Sequence, residues 1–357
     1  HWGQHEPGVS NGPTGPNAKR QWLEPFRWMS HLRTSTPTVP TGETLGQPVT
    51  GFFCGAVSSA SSLLNDTSSS PLTLLLVFAT IAAALAIPAF RTQWRPVVSK
   101  PLRQQRAGGQ IVDTSARLYW EHLRVLVPVG LIAVPLGSLA VVGQALLFHS
   151  TGLRRAFDAL EDDKAEGFVA LLVGTLAHAL APVLVGAAVV LVLRELDRDG
   201  KAHLRVVLAG LRGEIWRLAV LALGAVLVVF LLAATVIGLP YAVKKAVDWA
   251  FVQQAAAFEG HRGRAALSGS SSLVHGHWWR VAAITFVLLV HLAVTGPFFG
   301  VLVIFVTDAP LATINLFASL LFALVLPFVA VALTLLYLDL AVRRDSERAT
   351  TGMLPAA

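Results

Sequence analysis

The chain has 357 residues, 54% of them hydrophobic and only 14% charged, with a formal net charge of +7. This balance excludes an ordinary soluble domain and indicates a chain that has the lipid bilayer as its solvent. The basic residues flank apolar stretches, where they orient a chain during insertion, so no nucleic-acid partner is expected.

The first 70 residues are rich in Gly, Pro, Ser and Thr and show no sustained hydrophobic period, which predicts a disordered tail. Residues 71–107 then combine one extra apolar span with a basic segment. Cys54 is the only cysteine, which excludes a disulfide framework within one chain.

Seven apolar stretches reach the length of about 20 residues that a helix needs to cross a bilayer. They are 71–90, 124–148, 167–193, 215–237, 239–258, 281–305 and 311–342. The fifth stretch is the weakest, because Lys244, Lys245 and Asp248 are costly in lipid, and a re-entrant or interfacial helix is the alternative. The last stretch is long enough to tilt, to break near Pro327 or to run past the membrane.

Basic residues concentrate in alternate loops. Residues 91–124 hold seven and residues 194–217 hold six, whereas residues 307–310 hold none. By the positive-inside rule this alternation predicts a multi-pass protein of the plasma membrane with a cytoplasmic carboxyl terminus, including the tail 347–357. Asp339 and Arg343 form an i, i+4 pair at this terminus.

A short motif recurs 63 residues apart, as GEIWRLA at 213–219 and GHWWRVA at 276–282, and a weaker third copy is EHLRV at 121–125. Each copy opens an apolar stretch and follows an amphipathic one. These features predict three hairpins, each with an interfacial helix, an outward span and a returning span, and hence an all-α bundle with six core spans. The aromatic and basic pairs of the motif are predicted at headgroup depth, in contact with lipid. These residues are Trp216, Arg217, Trp279 and Arg280.

The amphipathic stretch before the apolar stretch 124–148 places Val112, Ala116, Tyr119 and Leu123 at helical spacing. We therefore expect this face of a first interfacial helix to be its apolar side.

Several segments resemble, in the expected order, a family of six-span bacterial membrane proteins common in actinobacteria. They are QIVDTSARLY at 110–119, DWAF at 248–251, FEG at 258–260, AAL at 265–267, GHWWR at 276–280 and LLYLDL at 335–340, followed by Arg343 and Arg344. The family is similar to the membrane domain of glycerophosphoryl diester phosphodiesterases. The resemblance covers residues 108–346 and implies a bacterial inner-membrane helical bundle. It does not imply hydrolysis, because the chain lacks the soluble catalytic barrel.

Two histidines lie in the middle of predicted spans, His178 four residues before Pro182 and His291 six residues before Pro297. Ionisable groups at this depth often mark a pathway, and a proline frees a carbonyl nearby. The alternative, which we favour, is that each neutral imidazole bonds to a neighbouring helix.

Lys244 and Asp248 are four residues apart and share a helix face, so they can neutralise one another. Their surroundings could hold a phosphate headgroup. The simpler interpretation is that the lysine extends to the interface and the pair only permits insertion.

No metal, phosphate-binding or nucleophile motif is present, so no enzyme and no cofactor are predicted. The first functional hypothesis is a non-enzymatic membrane protein that binds lipid or supports a membrane-protein partner or a second copy of itself. The second is a small-molecule or ion transporter that uses His178, His291, Lys244 and Asp248.

Overall fold

The computed structural model describes most of the predicted membrane region. The residues described are 101–149, 163–201, 203–210, 213–235, 238–307 and 310–350, together with 76, 79, 80, 83, 92 and 94. The predicted tail 1–70, nearly all of the predicted span 71–90 and residues 351–357 lie outside them.

Regular secondary structure in this part of the chain is helical throughout, which confirms the all-α prediction there. The helices are α1 Gly108–Glu121, α2 Leu123–Leu131, α3 Ala133–His149, α4 Asp163–Asp199, α5 Leu204–Gly210, α6 Glu214–Ala233, α7 Leu239–Asp248, α8 Val252–Phe258, α9 Arg264–Val274, α10 Trp278–Val306 and α11 Leu311–Thr350.

Four of the described helices are long and apolar enough to cross a membrane. The segments are Leu171–Asp199 in α4, Glu214–Ala233 as α6, Trp278–Thr295 in α10 and Leu316–Thr350 in α11. A fifth is added if α1 and the following segment Leu123–Leu139 count as one span, although the two are bent by 94°. The chain thus fits a membrane-embedded helical protein.

The helices α10 and α11 form an antiparallel pair. Arg280, near the start of α10, lies 3.1 Å from the Asp339 carboxylate near the end of α11. Eleven residues further along α10, the His291 ring meets the Phe328 ring, which lies eleven residues before Asp339, at a centroid distance of 6.3 Å. With 40 residues, α11 continues through Pro327 without a break and extends for about 60 Å. It is therefore longer than the membrane is thick.

The helix α1 packs lengthwise along α11. At one end the backbone N–H of Arg106 donates to Asp339 over 2.7 Å, and at the other the Tyr119 hydroxyl donates to the Leu324 carbonyl over 2.9 Å. Its fully buried side chains are Ile111, Thr114, Ser115 and Leu118. The predicted apolar face, with Val112 and Ala116, is only partly buried. The buried face thus includes two small polar residues, and the Ser115 hydroxyl donates to the Ile111 carbonyl of its own helix.

The predicted span 239–258 is divided into α7 and α8 by a turn at residues 249–251. The two halves differ in burial, since α7 buries only Ala242 and Asp248 whereas most of α8 is buried. The polar side chains of α8 reach neighbouring helices: Gln253 donates to the Val183 carbonyl and Gln254 to the Thr334 hydroxyl. The lysines of α7 therefore stay at least partly exposed, whereas Asp248 is buried and α8 enters the core.

The core of the described bundle lies where the second half of α4 packs against the second half of α11. Leu191, Leu193, Leu335 and Leu336 each expose 1% or less of their surface. The same end of the bundle carries Asp339 and the start of α10, so the core fixes the position of the charged residues above it.

Candidate functional site

One face of α10 forms the wall of an open cavity of about 620 Å³. The α10 residues lining it are Arg280, Ala283, Ile284, Val287, Leu288 and His291. Their spacing of three and four places them on one side of the helix. This face runs for about 16 Å from Arg280 to His291, at 1.5 Å per residue.

The other walls come from α1, α11 and two residues that precede α1. The lining residues there are Thr92, Trp94, Gly108, Gly109, Val112 and Phe328. The backbone N–H of Gly109 donates to the Thr92 hydroxyl over 2.7 Å, which holds residue 92 against the start of α1. None of the described lining residues is acidic. The cavity is therefore apolar along most of its length and positively charged at one end.

Arg280 provides that charge, and the protein uses only part of its hydrogen-bonding capacity. Its Nη2 donates to the Arg106 carbonyl over 2.5 Å and to Asp339 Oδ2 over 3.1 Å. Its Nε is buried without a hydrogen-bond partner. The guanidinium thus spans the boundary between a buried ion cluster and the cavity.

That ion cluster is centred on Asp339, whose side chain is fully buried. Arg343 Nε lies 3.1 Å from both carboxylate oxygens, which gives the predicted i, i+4 pair, and the Arg106 N–H donates to Oδ1. Arg280 completes the set. A buried carboxylate needs such partners, since an isolated one is strongly unfavourable in a low-dielectric interior.

Arg106 is itself 1% exposed, and its guanidinium donates to the carbonyls of Leu102 and Pro101. Burial lowers the pKa of Arg106, and the nearby Asp339 acts in the opposite direction. An arginine begins so far above neutrality that it keeps its charge. The segment 101–107 is thereby tied to the ends of α10 and α11.

Two further networks lie at this end of the bundle. Arg194 makes a two-pronged contact with Glu214, at 2.5 and 2.8 Å, and also donates to the Ala257 carbonyl. Glu259 accepts from the Tyr337 hydroxyl over 2.7 Å and from Arg344 over 3.2 Å. These contacts bring the end of α4, the start of α6 and the segment after α8 to the same end as Asp339.

The two Trp-Arg motifs have matching positions and different surroundings. Trp216 is 57% exposed and Trp279 is 81% exposed, each in the first turn of a long apolar helix. Arg217 lies 3.8 Å from Glu214 and does not line the cavity, whereas Arg280 does. The second copy alone of the two therefore borders a candidate binding site.

The predicted pair on α7 involves a different lysine. Lys245 Nζ lies 3.6 Å from the Asp248 carboxylate, while Lys244 is exposed. Lys245 also lies 5.4 Å from the ring centroids of Tyr241 and Trp249. Packing of α7 turns Asp248 inward, where its carbonyl accepts from Ser270, and this favours the lysine on the inner side. The sequence spacing could not distinguish the two, because i, i+3 and i, i+4 are both neighbours on a helix.

The two histidines do not form one site within the described residues. His178 is exposed, and its Nδ1 lies 2.7 Å from the Gly174 carbonyl of its own helix. His291 lines the α10 cavity beside Phe328. Arg280 and His291 are thus the two predicted site residues that the structure places on one wall.

Sequence patterns did not identify Arg106 as a partner of Asp339, 233 residues away. A signal was present, since Asp339 is the sole acidic residue in the apolar stretch 311–342. An acid at that position needs a cationic partner, but the sequence does not specify which distant arginine supplies it.

Among the described residues, no group of three or more His, Cys, Asp or Glu side chains could hold a metal ion. Comparison of the chain with protein-family models, curated proteins and solved structures found no match. The resemblance to the phosphodiesterase membrane-domain family therefore stays a prediction.

Proposed function

We propose that this chain is a non-enzymatic integral membrane protein that binds a lipid of the surrounding bilayer in the α10 cavity. The observation that carries this proposal is the amphipathic lining, with Arg280 at one end and apolar side chains from Ala283 to Leu288. A lipid has the same division between a polar head and an apolar chain. Sites for small ligands commonly combine apolar walls with a few placed polar groups.

The depth of the cavity supports a lipid rather than a soluble ligand. Trp279 is 81% exposed immediately beside Arg280, and tryptophan favours the boundary between hydrocarbon and headgroups. From that boundary the lining face of α10 descends along an apolar helix. A ligand that enters from the bilayer therefore meets the charged end at headgroup depth.

We also propose the finer topology: six core spans in three hairpins, in a bacterial plasma membrane, with the Asp339 end cytoplasmic. It is supported by the basic loops and by the contacts that gather the starts of α6 and α10 at the end that holds Asp339. The hairpins would join α2 and α3 to α4, α6 to α7 and α8, and α10 to α11. The family resemblance implies the six spans, and the recurring motif predicts their division into three hairpins.

The test is native mass spectrometry of the full chain after gentle extraction from its own membrane. The wild type is expected to retain one lipid, and Ala283→Phe, which fills the cavity, is expected to lose it. Ala293→Phe is the matched control, because Ala293 is an exposed residue of α10 outside the cavity lining. A lipid-free wild type, or equal retention in both variants, overturns the proposal. A co-purified protein or a second copy in place of lipid indicates the scaffold role instead.

Transport is the second candidate, and the observation that favours it is the position of His291 at the inner end of the cavity. A polar group there could take part in moving an ion or small solute. Flux into proteoliposomes that is lost in His291→Ala and kept in His178→Ala would support this function. Flux equal to that of empty liposomes over a broad substrate panel would exclude it.

A further inference from the structure

The donors of Arg280 are not all used by the protein. A guanidinium carries five N–H groups, yet both hydrogen bonds that Arg280 donates within the described residues start from Nη2. Nε is buried with no partner, and Nη1 has none among the described residues. The side chain is 29% exposed at the end of the cavity. Because Nε is shielded from the cavity, Nη1 is the donor that an external acceptor can reach, and an unpaired donor of a charged group favours such an acceptor.

The local charge balance favours an anionic acceptor. Arg280 and Arg343 both contact Asp339, and no other carboxylate of the described residues contacts either arginine. The adjacent Arg106 guanidinium donates to neutral carbonyls. One negative charge therefore serves the two arginine side chains that contact it. An anion beside Arg280 would gain charge-assisted hydrogen bonds where part of the surface is already excluded from water.

The remainder of the lining argues against a zwitterionic headgroup. An ammonium or choline group is held by a carboxylate or by an aromatic cage. No acidic residue is present among the described lining residues, and the rings there are those of Trp94, His291 and Phe328. The last two rings lie together at the far end from Arg280. A headgroup that carries only negative charge thus matches the charged end.

We propose that the ligand is an anionic glycerophospholipid. Its phosphate accepts hydrogen bonds from Arg280, and one acyl chain lies along Ala283, Ile284, Val287 and Leu288 toward His291 and Phe328. This inference rests on the proposed lipid-binding function and adds the headgroup class and the residue that selects it.

The test measures headgroup preference in the full chain. The protein is reconstituted into nanodiscs with equal amounts of phosphatidylglycerol and phosphatidylcholine of identical acyl chains, released into mild detergent, and the retained lipid is identified by native mass spectrometry. We expect phosphatidylglycerol to be enriched about tenfold, because both lipids offer a phosphate but only phosphatidylcholine brings a positive charge close to Arg280. The enrichment should fall as NaCl is raised, because salt screens exposed charge.

Variants test whether Arg280 is the residue responsible for the headgroup preference. Arg280→Gln should still retain lipid but lose the preference, and Arg280→Lys, which keeps the charge, should preserve much of it. Arg117→Gln is the matched control, because Arg117 is an arginine of α1 that pairs with Asp113 outside the cavity lining. If Arg280→Gln does not fold, two measurements still test the anionic site. They are the salt dependence of the headgroup preference in the wild type and the headgroup preference of Arg280→Lys.

The outcomes separate this inference from the function on which it rests. Retention of lipid by the wild type without headgroup preference, or equal loss of preference in Arg117→Gln, overturns the anionic site and leaves lipid binding standing. A wild type that retains no lipid removes both. Inorganic phosphate at millimolar concentration should not displace the lipid. Displacement by phosphate would identify a soluble anion as the ligand and overturn the inference.

Discussion

Asp339 is the residue on which the charged end of the bundle depends. Its carboxylate is fully buried and contacts Arg280 and Arg343 side chains and the backbone of Arg106. These partners come from the segment before α1 and from α10 and α11. A single side chain therefore joins three parts of the chain.

Replacing this carboxylate should be strongly destabilising. Asp339→Asn leaves the surrounding arginines without their shared negative charge, and we expect the free energy of unfolding to fall by about 3 kcal/mol. Equilibrium unfolding in mixed micelles measures the change. Asp345→Asn is the control, because the Asp345 side chain is 66% exposed and its contact with Arg344 is long, at 3.8 Å. A loss below about 1 kcal/mol for Asp339→Asn, the level of a surface pair, would contradict the structure.

The Tyr337 hydroxyl offers a second test at the scale of one atom. It donates to Glu259 over 2.7 Å, so Tyr337→Phe removes one hydrogen bond to a charged group while keeping the ring between Phe251 and Phe258. We expect a loss of about 1 to 2 kcal/mol in the same unfolding assay. Tyr241→Phe, at a half-exposed ring, should change stability little. Equal effects of the two substitutions would argue against the Glu259 contact.

Residue-scale prediction from the sequence succeeded where the partners are local. The Asp339 and Arg343 pair follows from spacing alone, and it is present. The partner of Asp248 was assigned to Lys244 rather than Lys245, because choosing between them depends on which side of α7 is packed. Arg106 was not foreseen at all, since no local rule relates residues so distant in sequence.

At the scale of helices, close packing in the bundle depends on one glycine. A Cβ at Gly130 of α2 would overlap the carbonyl oxygen of Ala323 and lie 2.6 Å from Pro327 Cγ on α11. Without a side chain the two backbones approach closely, as small residues allow in membrane helix pairs. Pro327 is thus part of a contact surface, and α11 remains continuous through it.

The contact predicts opposite effects for two similar substitutions. Gly130→Ala should destabilise the protein by about 1 to 3 kcal/mol, because α2 and α11 must separate. Gly137→Ala, on α3, has no atom within 4 Å of the added Cβ and should be neutral or stabilising by up to about 1 kcal/mol through helix propensity. Thermal unfolding in detergent ranks the two variants. A stable Gly130→Ala protein would show that the helices are further apart.

Hydropathy identified the long apolar helices because their composition is decisive over 20 residues. It did not predict the buried face of α1, because Thr114 and Ser115 lie there beside the apolar Ile111 and Leu118. It also did not locate the turn that separates α7 from α8. The charges near Lys245 and Asp248 signalled a weak span, but tertiary contacts of Gln253 and Gln254 determine its path.

At the scale of the whole molecule, the antiparallel pairing of α10 and α11 predicts sidedness. With Cys54→Ser as background, single cysteines at Gly213, Ser346 and Thr307 can be labelled by an impermeant maleimide on cells. Gly213 and Ser346 should react from one side and Thr307, at the end of α10, from the other. All three are exposed. Labelling of Ser346→Cys and Thr307→Cys from the same side would exclude a membrane-spanning hairpin.

The hydrogen bond between Arg106 and Asp339 spans 233 positions of a chain that is synthesised from its amino terminus. During translation Arg106 is therefore made long before the carboxylate that its backbone N–H will bind. Until then Arg106 and Arg280 have no Asp339 to bind, and the nascent protein carries an open basic end. Synthesis of α11 closes it, so a chain cut short before residue 339 leaves Arg106 and Arg280 without this carboxylate and keeps the basic end open.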